Sequence, residues 1–197
     1  MTDTLAVGQP QTRSILLWAK IQPGLAAFLL ILTAPLMLMI AIGLKASGPG
    51  PVLFRQTRTG FGGTPFMIFK FRTLKTDGSG QCSWFGRFLR RSSLDELPQL
   101  WNVICGEMAL VGPRPHMVAD DVRYLAVSEH YTRRQSVLPG MTGLAQIRGL
   151  RGPTTDENAM ARRIDCDLDY LARRSILLDL RILVATIRTV LQPFGQK

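Results

Sequence analysis

The chain contains 197 residues, of which 46% are hydrophobic, and its 24 Lys plus Arg against 14 Asp plus Glu give a net charge of +10. That length fits one domain with a substantial buried core. The three cysteines form no CxxC pair, which argues against a disulfide framework or a zinc site and fits a reducing compartment. The two histidines, His116 and His130, are too isolated to indicate a metal cluster, and we interpret both as ordinary residues.

The positive charge is unevenly distributed along the chain. Residues 1–50 contain only the basic residues Arg13, Lys20 and Lys45, so most of the cations follow an apolar beginning. This distribution indicates an anionic partner: nucleic acid, a phosphate-bearing substrate or anionic lipid. A solvated basic surface explains the charge equally well, and composition does not choose between them.

An uncharged stretch of 24 residues lies between Lys20 and Lys45. A bilayer-spanning helix needs about 20 apolar residues, and the uniform apolarity favours lipid over a soluble core or a cleaved signal peptide. Pro35 near its middle should bend the helix. Basic residues flank both ends, so the positive-inside rule assigns no orientation to a spanning helix. We favour a re-entrant helix over a spanning one, because it places both basic flanks on the cytoplasmic face.

The next segment predicts a β-hairpin. Two runs rich in β-formers, Val52–Thr57 and Phe66–Thr73, flank a turn rich in glycine. Lys70 and Arg72 are two residues apart on the second strand, so their side chains share one face. They form either a solvated face or a cradle for phosphate.

Two further segments are amphipathic or apolar. In SWFGRFLRR, residues 83–91, aromatic residues alternate with arginines, which is typical of a helix lying in anionic headgroups or of a core-packing helix with a basic edge. Residues 176–191 are strongly apolar but too short to span, so they lie on the membrane or pack in the core. The sequence thus predicts one α+β domain, mostly helical, with a small hairpin, interfacial amphipathic helices and a re-entrant N-terminal helix.

The segment RRSSLDELPQLWNVI contains two adjacent carboxylates, Asp95 and Glu96. Pro98 is tolerated only in the first turn of a helix, so a helix should begin close to this pair. Free N–H groups at that end would keep the carboxylates ionised and attract phosphates. The pattern Ser93-x-x-Glu96 is also a capping box, which would serve stability alone.

Arginines surround the carboxylate pair in sequence. Arg90 and Arg91 precede it, and Arg114 follows in GPRP, where two prolines stiffen the backbone and suit bidentate phosphate recognition. Ionised carboxylates beside arginines provide a place for Mg²⁺ and a diphosphate, because this metal prefers oxygen ligands shared with substrate phosphates.

Several motifs occur together in order: SLDELPQLWNV, GEMALVGPRP, PGMTGLAQIRG and DLDYLARRSILLDLRI. With them the chain resembles the bacterial sugar transferases, also called monotopic phosphoglycosyl transferases, from about Leu25 to Val190. The resemblance implies an N-terminal membrane region at residues 1–48, with a re-entrant helix, and a catalytic domain at residues 49–197. It also implies a location at the cytoplasmic face of the bacterial inner membrane.

The resemblance implies a mechanism as well. Asp95 would attack the β-phosphate of a UDP-sugar, UMP would leave, and undecaprenyl phosphate would take the phosphosugar from the aspartyl intermediate. Glu96 would help Asp95 hold Mg²⁺ or assist proton transfer. The basic family positions, which would contact phosphates or nucleotide, are Lys70, Arg72, Arg90 and Arg114. Asp167 matches the aspartate of the Asp-x-Tyr-Tyr motif and is included as a substrate-binding residue.

The chain departs from the family pattern at three places. Ala34-Pro35 stands where the family has Ser-Pro, Arg134 to Gly140 lacks two cationic positions, and Asp169 replaces a tyrosine. A membrane-associated adaptor or nucleic-acid binder is the competing hypothesis, but no aromatic-basic RNA motif occurs, and we expect no nucleic-acid partner. The retained carboxylates and Arg114 argue against an inactive member. No motif indicates which sugar is transferred or which oligomer forms.

Overall fold

The computed structural model describes residues 10–150, 152 and 156–191. The α-helices of this part of the chain are α1 (Pro10–Ala46), α2 (Trp84–Arg91), α3 (Leu100–Ile104), α4 (Val118–Val127), α5 (Leu144–Ile147), α6 (Glu157–Arg173) and α7 (Ile176–Leu191). Its strands are β1 (Leu53–Thr59), β2 (Pro65–Phe71), β3 (Ala109–Val111) and β4 (Gly140–Thr142). Short 3₁₀ helices occur at Phe61–Gly63, Leu94–Gln99 and Tyr131–Ser136. The mostly helical α+β class is confirmed.

Helix α1 contains the apolar N-terminal segment and continues through Pro23 and Pro35. By length and composition, its residues Arg13–Ala46 could cross a membrane. Part of its surface packs into the protein, where Ala26 and Leu44 are buried. Large apolar side chains elsewhere on the helix are exposed: Leu16, Leu17, Ile21, Phe28, Ile31, Leu32, Leu38, Met39 and Ile42. Such an apolar surface suits lipid, while the re-entrant path and the division at residue 48 stay predictions.

The helix carries a local feature next to the Ala34–Pro35 pair. The Thr33 hydroxyl donates a hydrogen bond to the carbonyl of Leu29 at 2.7 Å. A hydroxyl that bonds back to the preceding turn tends to bend a helix. Thr33 therefore adds to the bending tendency of Pro35.

The predicted hairpin is confirmed, with β1 and β2 antiparallel and Phe54 opposite Lys70. Its strands are shifted slightly from the prediction, since β1 continues to Thr59 and β2 ends at Phe71. The turn needs glycine at Gly62 and Gly63, whose φ angles of 61° and 81° lie in the left-handed region.

Helix α2 is also confirmed as a short amphipathic helix. The Ser83 side chain caps it by accepting the Gly86 N–H at 2.8 Å. Leu89 is buried in the protein, whereas the aromatic ring of Trp84 is 76% exposed. The helix thus packs on one side and presents an aromatic ring outward on the other.

The carboxylate pair lies in the 3₁₀ segment Leu94–Gln99, which leads directly into α3. The helical segment therefore begins near Asp95 and Glu96, as predicted. The capping box does not form, because Ser93 adopts a left-handed conformation with φ 57° and its side chain makes no capping bond. The Glu96 side chain consequently remains available for other partners.

Strands β3 and β4 form a parallel pair that was not predicted, because three residues each are too few for a recognisable pattern. Gly112 N–H donates to the Thr142 carbonyl at 2.9 Å, and Gly140 N–H donates to the Pro113 carbonyl at 2.9 Å. A Cβ on Gly140 would overlap the backbone nitrogen of Gly112. The pair brings the GPRP and PGMTG motifs side by side.

The C-terminal helices complete the core. In α7, Ile182 is fully buried, whereas Leu180, Val184 and Ile187 are exposed. One side of helix α7 therefore packs in the core, and the other presents exposed apolar side chains, for which the membrane surface stays a prediction.

Candidate active site

A cleft of about 1080 Å³ lies between the hairpin, the segment Leu94–Gln99 and helices α4, α6 and α7. It contains all but one of the residues predicted to act at the site: Lys70, Arg72, Arg90, Asp95, Glu96 and Arg114. The exception, Asp167, is buried outside the residues that line the cleft. The tertiary structure thus gathers side chains from sequence positions 70 to 114.

Glu96 is the centre of an ion-pair cluster built from three elements. Lys70 on β2 places its Nζ 2.6 Å from Glu96 Oε1, and Arg114, after β3, places Nη2 2.5 Å from Oε1 and Nη1 3.2 Å from Oε2. Burial alone would raise the pKa of Glu96, but the charges of Arg114 and Lys70 outweigh it and hold that pKa far below its usual range. Glu96 is therefore a permanently ionised anchor for two cations.

Asp95 lies beside this cluster in a different electrostatic state. Its side chain is buried, and no hydrogen bond to its carboxylate occurs within the described residues. Burial, together with repulsion from Glu96, raises the pKa of Asp95 from 3.8 to about 6, against the opposing charges of Lys70 and Arg114. The sequence predicted that a helix start would keep both carboxylates ionised. This holds for Glu96, whereas Asp95 is poorly solvated and titrates near neutrality.

Arg72 and Arg90 line the cleft but are held by local partners. The Arg72 guanidinium donates to the carbonyls of Leu44 at 3.0 Å and Gly48 at 3.2 Å, and also to that of Pro49. It thus satisfies carbonyls at the C-terminal end of α1, as cations commonly do there. Arg90 Nε donates to Thr73 Oγ1 at 2.8 Å, which attaches α2 to the end of the hairpin.

Asp167 reaches the site only through another residue. It forms a fully buried ion pair with Arg134, whose Nε and Nη2 lie 2.9 Å and 2.8 Å from Asp167 Oδ2. Arg134 Nη2 also donates to the carbonyl of Arg114 at 2.6 Å. The geometry therefore places Asp167 behind Arg134, where it can position the backbone of Arg114.

His116 forms part of the cleft wall, although its isolation in the sequence indicated no special role. Its ring stacks on Tyr124 with centroids 4.1 Å apart, and its Nδ1 lies 3.0 Å from the Tyr131 hydroxyl and 3.3 Å from Arg134 Nη1. Burial, then the charge of Arg134, lowers the pKa of His116 well below 6.5, so the ring is neutral. His130, in contrast, is exposed.

Two more cleft residues, Arg58 on β1 and Arg163 on α6, were not singled out in the sequence. Arg58 has polar neighbours on both sides in a hairpin strand, and Arg163 lies in a helix rich in charge, so neither position signals a site. Their proximity to His116 follows only from the tertiary structure.

The carboxylates are compatible with Mg²⁺. The described residues contain no group of three or more His, Cys, Asp or Glu side chains that could hold a metal ion. Mg²⁺ is commonly held by one or two carboxylates, with substrate phosphates and water completing its shell. Among the described residues, the carboxylate oxygens of Asp95 have no partner and Glu96 Oε2 accepts a single hydrogen bond, so the pair fits that pattern.

The protein combines an apolar helix long enough to cross a membrane with a cleft that contains cations and carboxylates. This combination is typical of proteins suited to phosphate chemistry at a membrane. The chain belongs to the bacterial sugar transferase family, whose model matches residues 19–193.

Three relatives illustrate the similarity. A UDP-glucose:undecaprenyl-phosphate glucose-1-phosphate transferase of Xanthomonas campestris pv. campestris is 49% identical over 175 residues, covering 83% of this chain and 36% of that protein. The enzyme of the same name from Caulobacter vibrioides is 47% identical, covering 84% of this chain and 66% of its own. Exopolysaccharide production protein PSS of Rhizobium leguminosarum bv. phaseoli is 42% identical, and the match covers 80% of this chain and 86% of that protein. This chain thus spans less than two thirds of the first two relatives.

Proposed function

We propose that this chain transfers a sugar 1-phosphate from a UDP-sugar to undecaprenyl phosphate and releases UMP, as the first membrane step of exopolysaccharide or other glycoconjugate synthesis. One observation carries the proposal: Asp95, a buried carboxylate without a hydrogen-bond partner in the part of the chain that the structure describes, lies beside two cations that Glu96 holds in place. The names of the Xanthomonas and Caulobacter relatives support both substrates and favour UDP-glucose as the first donor to test.

Asp95 serves as the nucleophile in this proposal. Its carboxylate oxygen forms a bond to the β-phosphorus of the UDP-sugar, and the bond from that phosphorus to the bridging oxygen breaks, so UMP leaves with the electron pair. A phosphate oxygen of undecaprenyl phosphate then displaces the Asp95 carboxylate and yields the polyprenyl diphosphate sugar. A carboxylate that is poorly solvated loses little hydration when it attacks, which suits this role.

The neighbouring residues stabilise charge and hold geometry. Lys70 and Arg114, which line the cleft, would contact the diphosphate oxygens, and Arg72 and Arg90 at the cleft wall would be further phosphate contacts. The strongly lowered pKa of Glu96 makes it a poor proton acceptor, which favours its role as an anchor and metal ligand over proton transfer. Mg²⁺ bound by Asp95 and Glu96 would neutralise diphosphate charge. Asp167 acts as a positioning residue through Arg134.

The apolar surfaces support a membrane location for the acceptor. Exposed apolar side chains on α1 and the exposed rings of Trp84 and Phe88 on α2 suit a lipid surface beside the cleft. We propose the bacterial inner membrane, with the cleft on the cytoplasmic face and α1 re-entrant. Labels at Thr4, which lies outside the described residues, and at Ser128 should then react from the same side, whereas reaction from opposite sides establishes a spanning helix.

The decisive experiment measures UMP release by purified protein in detergent with UDP-glucose, Mg²⁺ and undecaprenyl phosphate. The variant Asp95→Asn should abolish turnover, because an amide is a poor nucleophile. Asp165→Asn is the matched control, since Asp165 is exposed on α6 outside the cleft, and it should retain activity. Near-normal turnover in Asp95→Asn would remove Asp95 from the mechanism.

Chelation tests the metal separately. EDTA should stop UMP release and added Mg²⁺ should restore it, whereas turnover that ignores EDTA counts against the metal proposal. An adaptor that only reads anionic surfaces would show salt-sensitive binding with no UMP release from any UDP-sugar.

A further inference from the structure

A second group of side chains, two arginines and the neutral His116, lines the same cleft. It consists of Arg58 on β1, His116 after the GPRP motif and Arg163 on α6, all of which line the cleft. The backbone holds the first two together, because the Thr59 N–H donates to the His116 carbonyl at 3.0 Å. We refer to these three residues as the inner cationic cluster.

Each member of the inner cationic cluster contains a buried nitrogen without a hydrogen-bond partner among the described residues: Nε of Arg58, Nε2 of His116 and Nε of Arg163. His116 is 4% exposed and Arg163 is 6% exposed. Buried polar groups are nearly always paired in folded proteins, so three orphans lining one cleft call for an explanation.

The histidine nitrogen is a hydrogen-bond donor. Arg134 can only donate, and its Nη1 lies 3.3 Å from His116 Nδ1, so Nδ1 is the acceptor. A neutral imidazole then carries its proton on Nε2. All three orphaned nitrogens therefore present N–H groups, and the missing partner is an acceptor.

The arginines of the inner cationic cluster form no ion pair within the described residues, and Asp120 and Asp167 act on Arg58 and Arg163 only through longer-range charge. Within the described residues, no carboxylate lies within salt-bridge distance of Arg58 or Arg163, whereas Arg114 is paired with Glu96 and Arg134 with Asp167. The guanidinium groups of the cluster instead contact neutral oxygens: Gln56 Oε1 at 2.5 Å and the Pro115 carbonyl at 3.5 Å for Arg58, and the Gly152 carbonyl at 2.8 Å for Arg163.

Burial and the neighbouring charge of Arg114 both lower the pKa of Arg58, and burial lowers that of Arg163. A half-buried guanidinium and a buried one, both desolvated and near the charge of Arg114, are unfavourable unless an anion joins them. An anion with several acceptor oxygens would satisfy both the missing charge and the missing acceptors.

We propose that Arg58, His116 and Arg163 form a second phosphate subsite, which holds a phosphate group other than the one that Asp95 attacks. The proposal rests on the proposed function for the identity of that group. Arg114 is near both groups, since its charge acts on Asp95, Arg58 and His116 alike. The subsite suits the α-phosphate of the UDP-sugar and of UMP, and the phosphate of the polyprenyl acceptor has the same chemistry.

Binding of UMP to the full-length protein in detergent tests the subsite without any turnover. Calorimetric titration with UMP and with uridine should show that Arg58→Gln and Arg163→Gln each weaken UMP binding about tenfold or more, while any uridine binding is unchanged. Arg58→Lys should recover part of the loss. The controls are Arg55→Gln on β1 and Arg162→Gln on α6, both exposed side chains, and both should bind UMP normally.

Kinetic measurements then identify the phosphate. A raised KM for the UDP-sugar together with weak UMP binding assigns the subsite to the nucleotide, whereas normal UMP binding and a raised KM for undecaprenyl phosphate assign it to the acceptor. The proposal is overturned if UMP binding and both KM values stay normal in folded variants, as judged by unchanged thermal unfolding. If the variants lose UMP binding but the parent protein turns over no UDP-sugar, the subsite is supported and the proposed function is rejected.

Discussion

The charge network around Asp95 makes a signed prediction about pH. Burial and Glu96 raise the pKa of Asp95 from 3.8 to about 6, which corresponds to a cost of about 3 kcal/mol for the ionised form. The carboxylate is therefore half ionised near pH 6, and the rate of its attack should fall about tenfold for each pH unit below that.

Substitutions at Glu96 and Lys70, two neighbours of Asp95, should move the midpoint of the pH–rate profile in opposite directions. Glu96→Gln removes a negative charge and leaves Lys70 and Arg114 without their carboxylate, so both cations stabilise ionised Asp95 more strongly. We expect the midpoint of the pH–rate profile of Glu96→Gln to fall by at least about one pH unit. Lys70→Met removes a cation that lowers the Asp95 pKa, so its midpoint should rise.

The assay must separate Asp95 from the acceptor, because a phosphate monoester also ionises near pH 6. A single-turnover measurement of UMP formation without undecaprenyl phosphate isolates the attack by Asp95. The rate is followed from pH 4.5 to 8 for the parent, Glu96→Gln, Lys70→Met and the exposed control Glu129→Gln. Equal midpoints in all four proteins, or a rise in Glu96→Gln, would refute the assignment of the titrating group to Asp95.

Two further predictions concern the supports of the site. Asp167→Asn leaves the buried Arg134 without its counter-charge, so we expect a loss of about 3–5 kcal/mol in the free energy of unfolding, measured by denaturant titration; Asp165→Asn on the same helix should change it little. Gly86→Ala would drive a Cβ into the backbone at the end of the hairpin and should displace α2, lowering both thermal stability and UMP release. Gly24→Ala is its control, because a Cβ there meets nothing within 4 Å, and equal stability of the two variants would contradict the packing argument.

Local patterns in the sequence were sufficient for several elements. The apolar helix α1, the hairpin, the capped helix α2 and the helical start near Asp95 depend on residues close together in the chain. Hydrophobic periodicity, turn glycines and proline placement act over that short range, so these elements could be predicted. The ordered motifs likewise indicated the family and the position of the carboxylate pair.

The parallel pair β3–β4 could not be predicted, because its two strands are far apart in sequence and each is too short to show a pattern. Its consequence is large, since it sets the loop with Arg114 beside the segment that begins at Gly140. The same limit applies to Asp167, whose ion pair with Arg134 removes it from the cleft lining.

The sequence by itself determined the class of chemistry, because adjacent carboxylates, clustered cations and an apolar helix are properties of residue type and order. Only the tertiary structure decided which carboxylate is anchored by cations and which has no hydrogen-bond partner among the described residues, and which arginines form no ion pair there. Desolvation and Coulomb interactions depend on distances in space. Burial acts to raise the pKa of both Asp95 and Glu96, and only the close charges of Arg114 and Lys70 reverse the shift at Glu96.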